Sequence, residues 1–146
     1  MHINKEAINK LLLHFLKTIY QYERKEIAEF SLGFPEVYIL QYLKQYRSKN
    51  IGEISSELQV EHFAASRLIT RLEKKGYVVK SQDDTDRRVS SVRITPAGLR
   101  IVKALEEKHS RTILNNLENN PDLDMGLFIE AAKNIHRILD INIEEE

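Results

Sequence analysis

The 146-residue chain is 42% hydrophobic and 30% charged, with 22 basic and 22 acidic side chains, a balance that can bury a core and excludes wholesale disorder. It contains no cysteine, which excludes disulfides, thiolate-bound zinc, iron–sulfur clusters and thiol redox sensing. No apolar run approaches the roughly 20 residues of a membrane span, and the amino end Met1-His2-Ile3-Asn4-Lys5-Glu6 has no secretory-signal pattern, so no membrane association and a cytoplasmic location are expected.

Residues 3–22 place Ile8, Leu12, Phe15, Ile19 and Tyr22 at helical spacing, with Leu11 and Leu16 widening the stripe, and predict a long amphipathic helix running to about Glu29. Ser31-Leu32-Gly33-Phe34-Pro35 breaks it, and Pro35 suits the first turn of a second helix that runs through Val37, Leu40 and Leu43 to about Tyr46. Ser48-Lys49-Asn50 reads as a polar turn, and Ile51, Ile54 and Leu58 give a short third helix. Residues 61–75 form the fourth, with Ala65, Leu68, Ile69 and Leu72 as its buried stripe and Gly76 where a left-handed residue ends it.

The period then changes from helical to alternating. Residues 77–81 and the segment holding Val92 and Ile94 read as two strands joined by a charged hairpin loop, Gln82 to Arg88. Thr95-Pro96 restarts helix with a hydroxyl cap followed by proline. This fifth helix carries Leu99, Val102, Leu105, Ile113 and Leu117; Asn119-Asn120-Pro121-Asp122 stops it, and a sixth carries Phe128, Ala131, Ala132, Ile135, Ile138 and Leu139. No repeat or linker interrupts the chain, so residues 1–146 are expected to form one unit.

Zero net charge conceals an uneven distribution: residues 61–95 hold eight basic against five acidic groups, and residues 96–146 hold six against ten. The basic excess falls on the fourth helix and the hairpin. A short helix, a tight turn, a second helix and a hairpin with a basic loop make a winged helix-turn-helix arrangement, mainly α with a small β wing. The major groove of B-DNA admits one helix, and a loop can reach the adjacent minor groove. With the fourth helix's stripe turned inward, Phe63, Arg67, Thr70 and Lys74 lie on its far side and Ser66 and Arg71 flank them. Arg67 suits guanine O6 and N7; Arg71 and Lys74 suit phosphates. For Phe63, contact with thymine methyl groups, packing against the preceding helix and plain exposure compete. Glu61 and His62 open the helix; Glu61 complements the helix dipole or accepts from cytosine N4. In the loop, Asp83, Asp84 and Asp86 offset Arg87 and Arg88, so either one arginine stays available for a narrow minor groove or the loop is a solvated turn.

At this point the sequence resembles the MarR (multiple antibiotic resistance regulator) family. Arg67-Leu68-Ile69-Thr70-Arg71-Leu72-Glu73-Lys74-Lys75-Gly76-Tyr77-Val78, then Asp84-Thr85-Asp86-Arg87-Arg88, then Val92-Arg93-Ile94-Thr95-Pro96-Ala97-Gly98 follow the family's helix end, wing and helix restart in order. The resemblance implies a homodimeric, ligand-responsive repressor that binds a pseudo-palindromic double-stranded operator. Its dimerisation helices would lie at 3–29 and 97–143 and its winged part at 34–95. It also implies DNA contacts from Arg67, from Ser66 and the residues before it, His62 and Phe63 among them, and from Arg88 with Arg87 as runner-up, with Asp86 bracing the wing; helix geometry adds Thr70, Arg71 and Lys74 to these. A small aromatic effector would bind near His14, Phe15, Tyr38 and Tyr42, unless these are ordinary core. The family often has small polar residues where this chain has Glu61, His62, Phe63 and Ala64, which bears on the operator sequence. No cofactor or metal is expected, since His2, His14, His62, His109 and His136 form no close ligand cluster. The chain lacks a Gly-rich phosphate loop, a nucleophile elbow and an HExxH run, so it is not expected to be an enzyme. A winged-helix module that binds protein rather than DNA is the alternative.

Overall fold

The computed structural model describes residues 4–82 and 90–142. Among the described residues six α-helices and three strands follow in the order α1 (Lys5–Tyr22), α2 (Phe34–Tyr46), β1 (Ser48–Asn50), α3 (Ile51–Leu58), α4 (His62–Lys74), β2 (Val78–Gln82), β3 (Ser90–Ile94), α5 (Pro96–Asn119) and α6 (Met125–Ile138). Two compact units divide the chain, Met1–Lys108 and His109–Glu146, and α5 runs across the division. Among the described residues no helix is long and apolar enough to cross a membrane.

The predicted first helix ends earlier than its apolar stripe suggested. After Tyr22 the backbone widens into a π turn (Glu23–Ile27) and tightens into a 3₁₀ turn (Ala28–Phe30) that stops at Ser31, whose φ of 56° is left-handed. This wind buries Ile27 and the Glu26 carboxylate, which faces the ammonium groups of Lys25 at 3.6 Å and Lys108 at 3.7 Å. Burial raises the Tyr22 phenol above its ordinary pKa; the Glu26 charge adds to the rise and Lys108 opposes it.

The core gathers Val37, Ile39, Leu40 and Leu43 of α2, Ile54 of α3, Ala65, Ile69 and Leu72 of α4, Val78 and Val92 of the sheet, and Val102 and Leu105 of α5. Ser48-Lys49-Asn50, expected as a turn, is a strand. It pairs antiparallel with β3, which also pairs with β2, so the order is β1-β3-β2. Its last residue caps α3 reciprocally: the Asn50 side chain accepts from the Glu53 N–H at 2.8 Å, and the Glu53 carboxylate accepts from the Asn50 N–H at 2.8 Å. In α5 the buried positions are Gly98, Val102 and Leu105, whereas Leu99 and Ile113 of the expected stripe are exposed.

Two glycines hold the joint between α4, β2 and α5. Gly76 sits at φ 77° past the end of α4, as the sequence requires. Gly98 answers a different need. A Cβ there would stand 2.3 Å from the Tyr77 carbonyl oxygen and 2.7 Å from Ile94 Cγ1, so the start of α5 lies directly on the strands. Thr95 locks the same joint, donating to the Gly76 carbonyl at 2.6 Å and accepting from the Gly98 N–H at 3.1 Å. Gly98→Ala is therefore expected to destabilise the fold by about 1–3 kcal/mol through backbone displacement, read from the midpoint of urea unfolding with an unchanged m-value.

Candidate nucleic-acid interface

α3 and α4 are joined by a tight turn in which Gln59 adopts a left-handed conformation (φ 53°), its N–H donating to the Ser56 carbonyl and that of Val60 to the Ser55 carbonyl. α4 then buries Ala65, Ile69 and Leu72 completely, with Leu68 packed at the edge of the core. At about 100° per residue this sets Phe63, Arg67, Thr70 and Lys74 along the opposite side, four residues, then three, then four apart. His62, Phe63, Arg67, Arg71 and Lys74 are exposed, and Ser66 and Thr70 are half-buried. Phe63, at 64% exposure, does not pack against the preceding helix, which removes one of its three readings. Glu61 takes the N-cap position without a side-chain hydrogen bond, so its carboxylate leaves the first turn uncapped.

The cations of α4 are not equivalent. Among the described residues Arg67 and Lys74 form no ion pair, while Arg71 and Lys75 converge on a buried carboxylate. Glu36, only 7% exposed, stands 3.6 Å from Arg71 Nε and 3.9 Å from Lys75 Nζ. Its second oxygen accepts from the Gly33 N–H at 3.0 Å, which fixes the first turn of α2. Lys75 also donates to the Ser31 carbonyl. The C-terminal end of α4 is thus tied to the bend between α1 and α2. Sequence reasoning missed Glu36 and Lys75; the Gly33-x-x-Glu36 spacing of a capping box was the available signal. Val60, exposed beside the start of α4, was also missed, because nothing in its spacing separates it from the core stripe.

Behind α4, Glu73 accepts from the Lys80 N–H at 3.1 Å and faces its ammonium at 3.5 Å, fastening the hairpin to the helix. Strands β2 and β3 pair from Val78 opposite Ile94 to Gln82 opposite Ser90. The proposed wing residues Asp86, Arg87 and Arg88, together with Asp83 and Asp84, lie outside the described residues.

The four effector-site candidates are engaged in different ways. His14 and Phe15 lie on α1, where residues 5–21 are all exposed within a single chain. The Tyr38 hydroxyl donates to Glu57 of α3 at 2.9 Å. Tyr42 meets Tyr46 edge-on at 4.9 Å, with the Lys49 ammonium over both rings. One chain therefore turns Tyr38 toward α3 and Tyr42 toward β1, and leaves His14 and Phe15 uncovered.

With this geometry in hand, residues 34–90 match the model of the MarR family. The chain is 27% identical over 121 residues to YsmB of Bacillus subtilis, an uncharacterized HTH-type transcriptional regulator, covering 83% of each protein. Its fold is that of a MarR family protein from Bacillus stearothermophilus, with a TM-score of 0.74 at 23% identity over 94% of this chain and 99% of that one. It is likewise the fold of a mutant E. coli MarR complexed with operator DNA, with a TM-score of 0.71 at 17% identity over 95% and 99% of the two chains.

Glu36→Ala removes the acceptor of a part-buried N–H and the counter-charge of two cations. It is expected to lower stability by about 1–3 kcal/mol in chemical denaturation, with Glu36→Gln recovering part of the loss through the Gly33 hydrogen bond.

Proposed function

We propose that this chain is a MarR-family winged-helix transcriptional regulator that works as a homodimer and lays α4 of each copy in the major groove of a pseudo-palindromic operator. The observation that carries this reading is the single line of Phe63, Arg67, Thr70 and Lys74 opposite a fully buried stripe. The operator-bound E. coli neighbour supports it at the level of fold. In this reading Arg67 forks onto guanine, Ser66, His62 and Thr70 make shorter contacts, and Arg71 and Lys74 hold phosphates. The hairpin segment carrying Arg88 and Arg87 supplies the minor-groove contact, with Asp86 as its brace. Two-fold symmetry sets the half-sites about 10 base pairs apart.

The apolar surface of the long helices supports pairing. On α1, Leu11, Tyr22, Phe15, Ile8, Ile19, Leu12, Leu16, Tyr20 and Leu13 span an arc of about 200° at 100° per residue, wider than one neighbour covers. Leu11 is 68% exposed, and on α6 Leu127, Phe128 and Ile138 are exposed as well. Patches of this extent mark association surfaces. We assign the regulator a repressor's role, relieved when a small aromatic effector near His14, Phe15, Tyr38 and Tyr42 binds one dimer geometry better than the other.

Sedimentation analysis and fluorescence anisotropy on duplexes from the region upstream of the gene test this. A dimer is expected whose affinity falls steeply with salt. Arg67→Ala is expected to relax preference at one base pair by about 1–3 kcal/mol, whereas Lys74→Ala weakens all sequences alike and reduces the salt slope by about 1. A monomer indifferent to every duplex would overturn the reading and favour a protein-binding module. Independently, Leu11→Glu on the exposed face of α1 is expected to shift the protein toward monomer while the unfolding signal of the winged core persists.

A further inference from the structure

We propose that Phe63, with Val60 at the turn before it, reads the 5-methyl groups of thymine and so makes this regulator select half-sites with thymine at the position facing the start of α4. The inference rests on the reading of α4 as the groove helix, and it adds the chemistry by which that helix chooses its sequence.

Phe63 is 64% exposed and Val60 39%, so the start of α4 presents an apolar patch to solvent. The patch does not stand alone. Arg67 and Lys74 continue the same line along the helix, and Arg71 flanks it. Whatever covers Phe63 must therefore be apolar at one spot and strongly anionic a turn or two further on. The floor of the major groove meets both demands: the thymine C5 methyl is its apolar group, and the phosphates line its rim.

Charge along the helix fixes the orientation. Glu61 immediately precedes His62 and Phe63 and is exposed; a phosphate brought to this end would meet its carboxylate. Glu57 of α3, which accepts from the Tyr38 hydroxyl, adds a second negative group on the element just before. The cations lie toward the other end, where Arg71 and Lys74 occupy the last turn. Phosphate contact is thus favoured at the C-terminal half of α4, and the N-terminal half is left to the bases. A phenyl ring there offers no hydrogen bond, so it distinguishes bases by the methyl group alone.

The test uses the full-length protein and a duplex recovered from a random pool by repeated selection. Each thymine of one half-site is replaced in turn by uracil, which deletes the methyl and keeps every hydrogen-bonding group. At one or two positions affinity is expected to fall about fourfold, the value of one buried methyl-sized group. Placing 5-methylcytosine at a cytosine substituted for that thymine is expected to recover part of the binding. Phe63→Ala is expected to bind more weakly and to become indifferent to the uracil exchange, while Phe63→Leu keeps the sensitivity. Phe63 is exposed, so both variants are expected to fold, checked by an unchanged urea-unfolding midpoint. Salt-dependent binding that ignores uracil at every position would overturn this inference and leave the groove-helix reading standing. An unchanged selected sequence and affinity in Phe63→Ala would overturn it too and assign the patch to a protein partner. A pool that yields no bound duplex at all would overturn both.

Discussion

Burial of Ala65, Ile69 and Leu72 fixes the rotation of α4 about its own axis, and every property of its outer face follows from that. A helix offers one side to a core. Turning α4 by a single residue would drive the half-buried Ser66 and Thr70 inward and expose three aliphatic side chains, losing apolar burial and stranding hydroxyls without partners. The inward side is itself held from several directions. Leu40 and Leu43 of α2, Ile54 of α3, and Val78 and Val92 of the sheet belong to the same cluster. The outward line from Phe63 to Lys74 is therefore a consequence of core packing rather than a surface free to vary with the solvent.

Burial also separates the winged core from α1 and α6. Every fully buried hydrophobic side chain in the core cluster lies between Ile27 and Leu105, and none belongs to α1 or α6. Apart from exposed side chains such as Val60 and Phe63, the winged part buries its apolar surface within one chain, helped by Ile27, Leu32 and the Val102 and Leu105 of α5. The long helices do not, although their spacing is as regular as that of α4. An amphipathic stripe states that a helix has something to cover it; it does not state whether the cover comes from the same chain. The proposal that a second copy supplies it draws on that distinction, and it explains how a helix with a broad apolar arc can be well patterned and yet bury none of its residues.

How much was legible in the sequence depended on what kind of force shaped each element. The helices and the two hairpin strands were readable because burial imprints a period, 3.6 or 2, on residue type. β1 was not. Ser48, Lys49 and Asn50 are held by backbone pairing to β3, which leaves no hydrophobic trace, and Asn50 doubles as a helix cap. The π turn after Tyr22 was hidden because its residues are as compatible with continued helix as those before it. Gly98 was noticed as part of a family pattern, but its cause, the Tyr77 carbonyl just before β2 at the place its side chain would take, is a tertiary contact. In the candidate interface, the outward line came from the period alone. Glu36 did not, since a charged residue at the start of a helix is ordinarily read as solvated, and its burial depends on α4 and the Gly33 turn closing over it.

Glu36 also joins two parts of the molecule that the sequence treats as separate. The bend leaving α1 is bonded at several points: Glu23 accepts from the Phe34 N–H at 3.0 Å, Glu36 from the Gly33 N–H, and the Ser31 carbonyl from Lys75. Arg71 and Lys75 bring the last turn of α4 into the same knot. The contacts of exposed side chains here are individually weak, so the strength lies in the buried carboxylate, whose charge must keep its partners or meet the cost of isolation. A displacement of this bend has two outcomes available: it breaks those bonds, or it carries the end of α4 with it. The start of α4 is held differently, by the Gln59 turn to α3. The two ends of one helix thus answer to different neighbours, the cationic end to the bend from α1 and the Phe63 end to α3, so under the proposed reading of α4 as a groove helix a motion of α1 would bear on the proposed phosphate contacts before it touched the proposed base contacts.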